Sequence, residues 1–362
     1  MRHVVMKRLR VPQPILIGNE GRVEGRWAGL RKEDMGKAIA KWFAAGCAAT
    51  ALGLSGASAM NNAAPKPVDV KRMKGAAMIE YAARPYIQFR QDIDFVADGT
   101  PGSAEEMREV HLRLASHDNR SMAGSWIAYA AMIAADSPSF AASIEDQIAQ
   151  KGKKAFVAEL ETNPALVRNL PGADQAIAAI MTFAASDAEK IRQAGDSYIA
   201  EAYDMQKLAW ARRTIAESGM QRVDAALKFA ATREWPRTTG RKVVKTDAGT
   251  VRPDLVSYAS WSTDWAGETA AVSPSARPGV IVTKALVLGA HYAMNTAEQQ
   301  HMAAFATSKK SERCFTNAKL NLDQCIAATR TPYEEAFCLG QHALNDMSSC
   351  VGWPAGVGAS GS

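Results

Sequence analysis

The chain has 362 residues, 47% of them hydrophobic and 22% charged, enough apolar material for a sizeable core and too much for a disordered polypeptide. Its formal charge of +6 comes from 43 Lys and Arg against 37 Asp and Glu, but residues 1–59 hold ten of the basic and four of the acidic residues, leaving 33 of each. That balance excludes a nucleic-acid binder driven by overall charge.

Residues 1–34 mix Arg, Gly and Glu without apolar periodicity and read as a misassigned upstream extension, with Met35 as the initiator. Residues 35–59 read as a signal peptide. Lys37 and Lys41 precede the apolar run Trp42–Leu54, and Ala57-Ser58-Ala59 is a small-residue cleavage site. The run is too short and too rich in Ala and Gly to span ~30 Å of hydrocarbon comfortably, and an uncleaved anchor is the rival reading. Cleavage following Ala59 predicts a periplasmic or secreted chain starting at Met60, with no transmembrane helix in the mature protein.

Residues 60–230 read as a helical bundle. Residues 68–97 predict a helix kinked or broken near Pro85. Ser103 and Glu106 form a capping-box signature opening a helix to about Ala135. Shorter helices are expected around Phe140–Gln150 and Lys154–Leu160. The longest is expected from Pro171-Gly172 to Ser218, closed by Gly219. In it Ile177, Ala184, Ile191, Tyr198 and Met205 recur every seven residues, beside the small-residue row Met181, Ala188, Gly195, Ala202 and Ala209. Such rows predict a core seam that a partner helix approaches closely, rather than a cofactor stripe.

Residues 231–280 break the pattern, with four prolines and three of the six tryptophans that lie beyond residue 59. Arg241–Val251 predicts a small hairpin turning at Asp247-Ala248-Gly249. Helix resumes over Ile281–Thr307, and residues 354–362 form a Gly/Ser-rich tail expected to be disordered.

Cys314, Cys325, Cys338 and Cys350 are separated by ten, twelve and eleven intervening residues. Cysteines eleven positions apart on a helix share a face, since about 1100° is only about 20° past three turns, yet they are ~16 Å apart and cannot bridge each other. Thr331-Pro332-x-Glu334 starts a second helix between the inner pair. Two antiparallel helices then admit the nested bridges Cys325–Cys338 and Cys314–Cys350. The twelve-position step to Cys350 overshoots by about 120°, so fraying or bending at Ser348-Ser349 is expected. Structural zinc needs close Cys pairs that are absent here. An even cysteine count confined to one segment points to an oxidising compartment.

The stretches Leu320-Asn321-Leu322-Asp323-Gln324-Cys325 and Tyr333-Glu334-Glu335-Ala336-Phe337-Cys338-Leu339-Gly340-Gln341-His342 resemble the C-terminal signature of uncharacterised exported all-helical proteins of sphingomonad-type alphaproteobacteria. The resemblance covers about forty residues and the helical plan. It implies export and a helical fold, and it carries over no activity or catalytic residue. The hairpin is also similar to the twin-cysteine hairpins of mitochondrial intermembrane-space proteins, as a shared solution and not as kinship.

Two groups carry candidate chemistry. His291, Glu298 and His301 sit in the expected Ile281–Thr307 helix, and Glu298-x-x-His301 has the spacing of di-iron bundles. A second copy is missing, and a polar face or partly buried histidines with hydrogen-bond partners is the favoured reading. Tyr258, Trp261, Asp264, Trp265 and Glu268 interleave aromatics with carboxylates, as sugar clefts do, although tryptophans anchoring a loop account for the same residues. G-x-S-x-G, P-loop, G-x-G-x-x-G and His-Glu-x-x-His motifs do not occur after residue 59. The reading is an all-α protein: a helical bundle with one long helix and a C-terminal disulfide-stapled hairpin. Its expected role is an exported binding or structural protein, without cofactor, whose partner is an envelope protein or a glycan, with helix-mediated oligomerisation open to it. The alternative is an envelope enzyme or module acting on glycan or peptidoglycan through Trp261–Glu268.

Overall fold

The computed structural model describes residues 73–97, 99–233, 243–245, 251–253 and 278–357, all within the unit Pro67–Ser362. The leader, the extension and the Tyr258–Glu268 group lie outside the described residues. The order is α1 (Ala76–Ala97), α2 (Ala104–Ala115), α3 (Asn119–Asp136), α4 (Pro138–Lys151), α5 (Lys153–Thr162), α6 (Ala173–Met205), α7 (Gly219–Thr232), α8 (Val280–Met294), α9 (Gln299–Phe305), α10 (Lys309–Ala328), α11 (Pro332–Cys338) and α12 (Asp346–Gly352). A π-helical stretch, Leu339–Asn345, joins α11 to α12. Two three-residue strands, β1 (Val243–Lys245) and β2 (Val251–Pro253), pair antiparallel with Val244 opposite Arg252. The expected hairpin thus exists, reaching two residues past its expected end, and the fold is all-α.

The bundle centres on α3 and α8. From Met122 to Ala134 nearly every α3 side chain is buried, and so is almost all of α8, which is why neither shows a clean polar face. Small residues let the two approach: a Cβ on Gly289 would sit 2.9 Å from the Ala131 carbonyl oxygen. The long helix α6 packs along this centre and along the hairpin. Ala184, Ile191, Tyr198 and Met205 are buried, as are Ala188, Gly195 and Ala202, so the predicted seam is real over that span. Gly195 lies close against Gly340, where a Cβ on either glycine would be 2.9 Å from the other's carbonyl oxygen.

Helix α1 runs through Pro85, so of the kink or break expected there the break does not occur. Four other expected boundaries are corrected. The helix begun at Ser103 stops at Ala115, because Asp118 opens a new one by accepting from the Ser121 amide at 3.2 Å. The long helix ends at Met205 instead of Ser218, and Ala209 is exposed. Residues 206–218 find tertiary partners for their backbone instead, with the Ile215 amide donating to the Arg330 carbonyl at 2.8 Å. Gly219 begins a helix rather than closing one. Ser218 and Gln221 make a capping box, and the bare Gly219 backbone rests against the Ala327 backbone at the end of α10. The Ile281–Thr307 helix is broken after Met294 by Asn295, which adopts the left-handed conformation at φ 54°. Its side chain pins the start of α1, accepting from the Ala76 amide at 2.8 Å, while the Gly75 amide donates to Ala297 at 2.6 Å.

The hairpin carries the nested bridges Cys314–Cys350 and Cys325–Cys338, with Cα separations of 5.6 and 5.7 Å. Helix α11 starts as predicted, Pro332 at its first position and Glu334 accepting from the Thr331 amide at 3.0 Å. The Ser348-Ser349 bend is replaced by the π-helical stretch. A π-bulge inserts one extra residue into a helix. Twelve positions then behave as eleven, returning Cys350 to the face of Cys338 and matching the eleven-position step from Cys314 to Cys325.

Candidate functional site

Buried charge gathers in three places. In the core, Arg90 of α1 meets Asp187 of α6 at 3.3 Å, the Tyr86 hydroxyl donates to Asp187 at 2.7 Å, and Arg90 donates to the Tyr129 hydroxyl. Burial raises the Asp187 carboxyl, and Arg90 and Tyr86 pull it back only in part, to about 6. The same burial, with Asp187 alongside, pushes the Tyr86 phenol well up. Nearby, Asp92 accepts from His117 at 2.7 Å and from Arg233. Burial alone would raise the Asp92 carboxyl, but these donors outweigh it and hold it below the usual aspartate range.

The third group borders open space. A cavity of about 470 Å³ lies between α2, residues 206–218, α7 and the start of α11. Leu112, Trp210, Ile215, Ala225 and Pro332 give it apolar walls. His111, Arg222 and Glu335 form its polar wall, each less than a tenth exposed. His111 Nδ1 contacts Glu335 Oε1, and Nε2 faces the Arg222 carbonyl at 3.2 Å. Arg222 reaches Glu335 at 3.6 Å and donates to the Thr329 carbonyl at 2.9 Å, the Ile326 carbonyl at 3.2 Å and the Glu217 carbonyl at 2.9 Å. A carboxylate on one imidazole nitrogen is how a general base is oriented, but the nitrogen that would take the proton is occupied by a backbone carbonyl. The trio therefore ties α2, α7 and the hairpin together and forms a fixed polar wall for whatever enters.

Of the sequence candidates, His291 and His301 are brought together. Their rings stack with centroids 3.9 Å apart, both buried. Glu298 is turned elsewhere: it precedes α9, and its amide donates to His301 Nδ1 at 3.0 Å, which leaves His301 Nε2 to donate to Glu161 at 2.8 Å. Glu298-x-x-His301 is thus a capping arrangement, because the break at Asn295 removed the continuous helix on which the ligand set depended. His291 Nδ1 meets the Thr296 hydroxyl at 3.0 Å, and burial, with His301 beside it, lowers the imidazole to about 3. Among the described residues no three His, Cys, Asp or Glu side chains are placed to hold a metal ion.

The cavity residues escaped sequence reading because positions 111, 222 and 335 come from three distant stretches. One signal existed. His111 shares the buried face of α2 with Met107 and Leu114, a polar side chain on an apolar stripe. Compared with family models, curated proteins and solved structures, the chain matches none of them. Among the described residues no single helix is long and apolar enough to cross a membrane.

Proposed function

We propose that the chain is an exported helical binding protein of the cell envelope, and that its ligand occupies the cavity beside His111, Arg222 and Glu335. The observation that carries this is the cavity itself: about 470 Å³ with apolar walls and one fixed polar wall, a size and character typical of small-molecule sites. Binding is favoured over catalysis because His111 Nε2, the nitrogen a general base would use, already faces the Arg222 carbonyl. Export is supported by the two disulfides, which persist in oxidising compartments, by the leader pattern ending at Ala59, and by the hairpin's resemblance to exported helical proteins.

The test is a metabolite and glycan screen on protein purified from the envelope, read by thermal shift and repeated on Ala225→Trp, which fills the cavity from α7. Hits that the substitution abolishes support the reading; hits that survive it, or none at all, overturn it. N-terminal mass spectrometry of the same material is expected to give Met60.

A further inference from the structure

We infer that the cavity selects an organic monocarboxylate with an apolar body; the inference rests on the cavity being the ligand site. Six charged side chains line it, three arginines and three glutamates. Four of them neutralise one another: Arg108 pairs with Glu217 and Arg222 with Glu335. That leaves Arg213 and Glu105. Both are exposed, and the Arg213 guanidinium pairs with no carboxylate among the described residues. Glu105 stands in the first turn of α2, where the partial positive charge of the helix start offsets a carboxylate. Arg213, in the irregular stretch 206–218, has no such offset. Arg213 is therefore the one arginine of the lining left without a carboxylate partner among the described residues.

One cation accepts one carboxylate, in the two-pronged geometry a guanidinium favours. A polyanion is disfavoured because only one arginine of the lining is without a carboxylate partner among the described residues. The rest of the ligand is defined by Leu112, Trp210, Ile215 and Pro332, which present apolar surface and an indole face. A carboxylate held at Arg213 leaves its hydrocarbon or aromatic portion to cover that surface.

Octanoate, octanol and octylamine separate the possibilities, since they share a chain and differ in head-group charge. By calorimetry on the full-length oxidised protein, octanoate is expected to bind about tenfold more tightly than octanol, with octylamine weakest. Arg213→Ala is expected to bring octanoate down to the level of octanol and to leave octanol unchanged. Ala225→Trp is expected to abolish both; if circular dichroism shows that it does not fold, Ala216→Trp, at an exposed lining position, takes its place. Equal binding of octanoate and octanol, tighter binding of octylamine, or an Arg213→Ala variant indistinguishable from wild type overturns the monocarboxylate while leaving the cavity as a binding site. Absence of binding by all three overturns it too, and the cavity reading then falls only if the wider screen also returns nothing.

Discussion

Arg90 and Arg222 are both buried and both face a carboxylate, yet they stand in opposite settings. Arg90 lies at the centre of the bundle, its guanidinium 5.3 Å from the Tyr129 ring and 5.7 Å from Phe183, and it joins α1, α3 and α6. Arg222 lies at an edge, bound mostly to carbonyls of the hairpin turn, with a cavity in front of it. The first pair is sealed on every side, and its Asp187 carries a raised pKa. The difference teaches that a perturbed buried carboxylate is not by itself a site. Where the protein closes around the charge, the perturbation reports architecture; where it leaves a space, the fixed pair becomes a wall that a ligand can meet.

The largest effect expected from breaking this contrast is at Arg90. Arg90→Met leaves Asp187 and Tyr86 without their cation in a fully buried setting, a cost of about 3–5 kcal/mol. Urea denaturation is expected to show it, and Arg90→Met with Asp187→Leu to recover most of it, since a sealed pair is replaceable by apolar side chains. Ligand binding at the cavity is expected to be unchanged in the double variant. A double variant no more stable than the single one would mean that Arg90 is held for its tyrosines rather than for Asp187.

Next is the covalent fastening on the Arg222 side. Replacing Cys325 and Cys338 by serine removes the inner bridge, at about 2–4 kcal/mol. Because Arg222 binds Ile326 and Thr329 beside that bridge, the loss is expected to loosen the cavity wall while the Arg90 core keeps its protection. Hydrogen exchange resolves this: faster exchange in α10 and α11 with α1 and α3 unchanged sustains the contrast, and uniform acceleration breaks it.

A smaller effect is expected at Glu335. Glu335→Gln keeps the shape of the wall but removes the charge facing His111 and Arg222, whose other donors stay bound to carbonyls. About 1–3 kcal/mol is expected by denaturation, below the Arg90→Met value, because Arg222 keeps three carbonyl acceptors when the Glu335 charge is gone. An equal or larger loss would show that this wall is as sealed as the core.

What the sequence disclosed follows the same division. The hairpin was legible because cysteine positions report helix phase directly and Thr331-Pro332-x-Glu334 marks a start with local chemistry. The core seam of α6 was legible from its period. The break after Met294 was not, because Asn295 takes a left-handed conformation for the sake of Gly75 and Ala76, more than two hundred residues earlier. The π-helical stretch was legible only in part: the phase error at Cys350 could be read from the cysteine positions, but not that the chain absorbs it at Leu339–Asn345. Both surprises are tertiary demands overriding local preference, and the cavity, built from three separate stretches, is a third.

The smallest expected effect is a near cancellation, and it sets the sealed core against the buried histidines. His291 has its folded pKa lowered to about 3 from an ordinary value of 6.5. Between those values the unfolded chain binds more protons, so His291 makes the protein less stable as pH falls, by up to about 1.4 kcal/mol per unit. Asp187 has its folded pKa raised to about 6 from 3.8, so over that interval the folded chain binds the extra proton and stability rises as pH falls, with a similar slope. From pH 6 down to 3.8 the two slopes oppose each other. Each variant is read against wild type, so contributions from all other groups drop out of the difference. Relative to wild type, His291→Gln is expected to gain stability as pH falls from 6 to 4 and Asp187→Asn to lose it, each by about 1.4 kcal/mol per unit at most. The two differences should be mirror images. If only Asp187→Asn changes the slope, the stacked histidines are open to water and Asp187 is the one sealed titrating group of the two. If only His291→Gln does, Arg90 keeps Asp187 ionised throughout, and the core pair is an ordinary ion pair that happens to be buried.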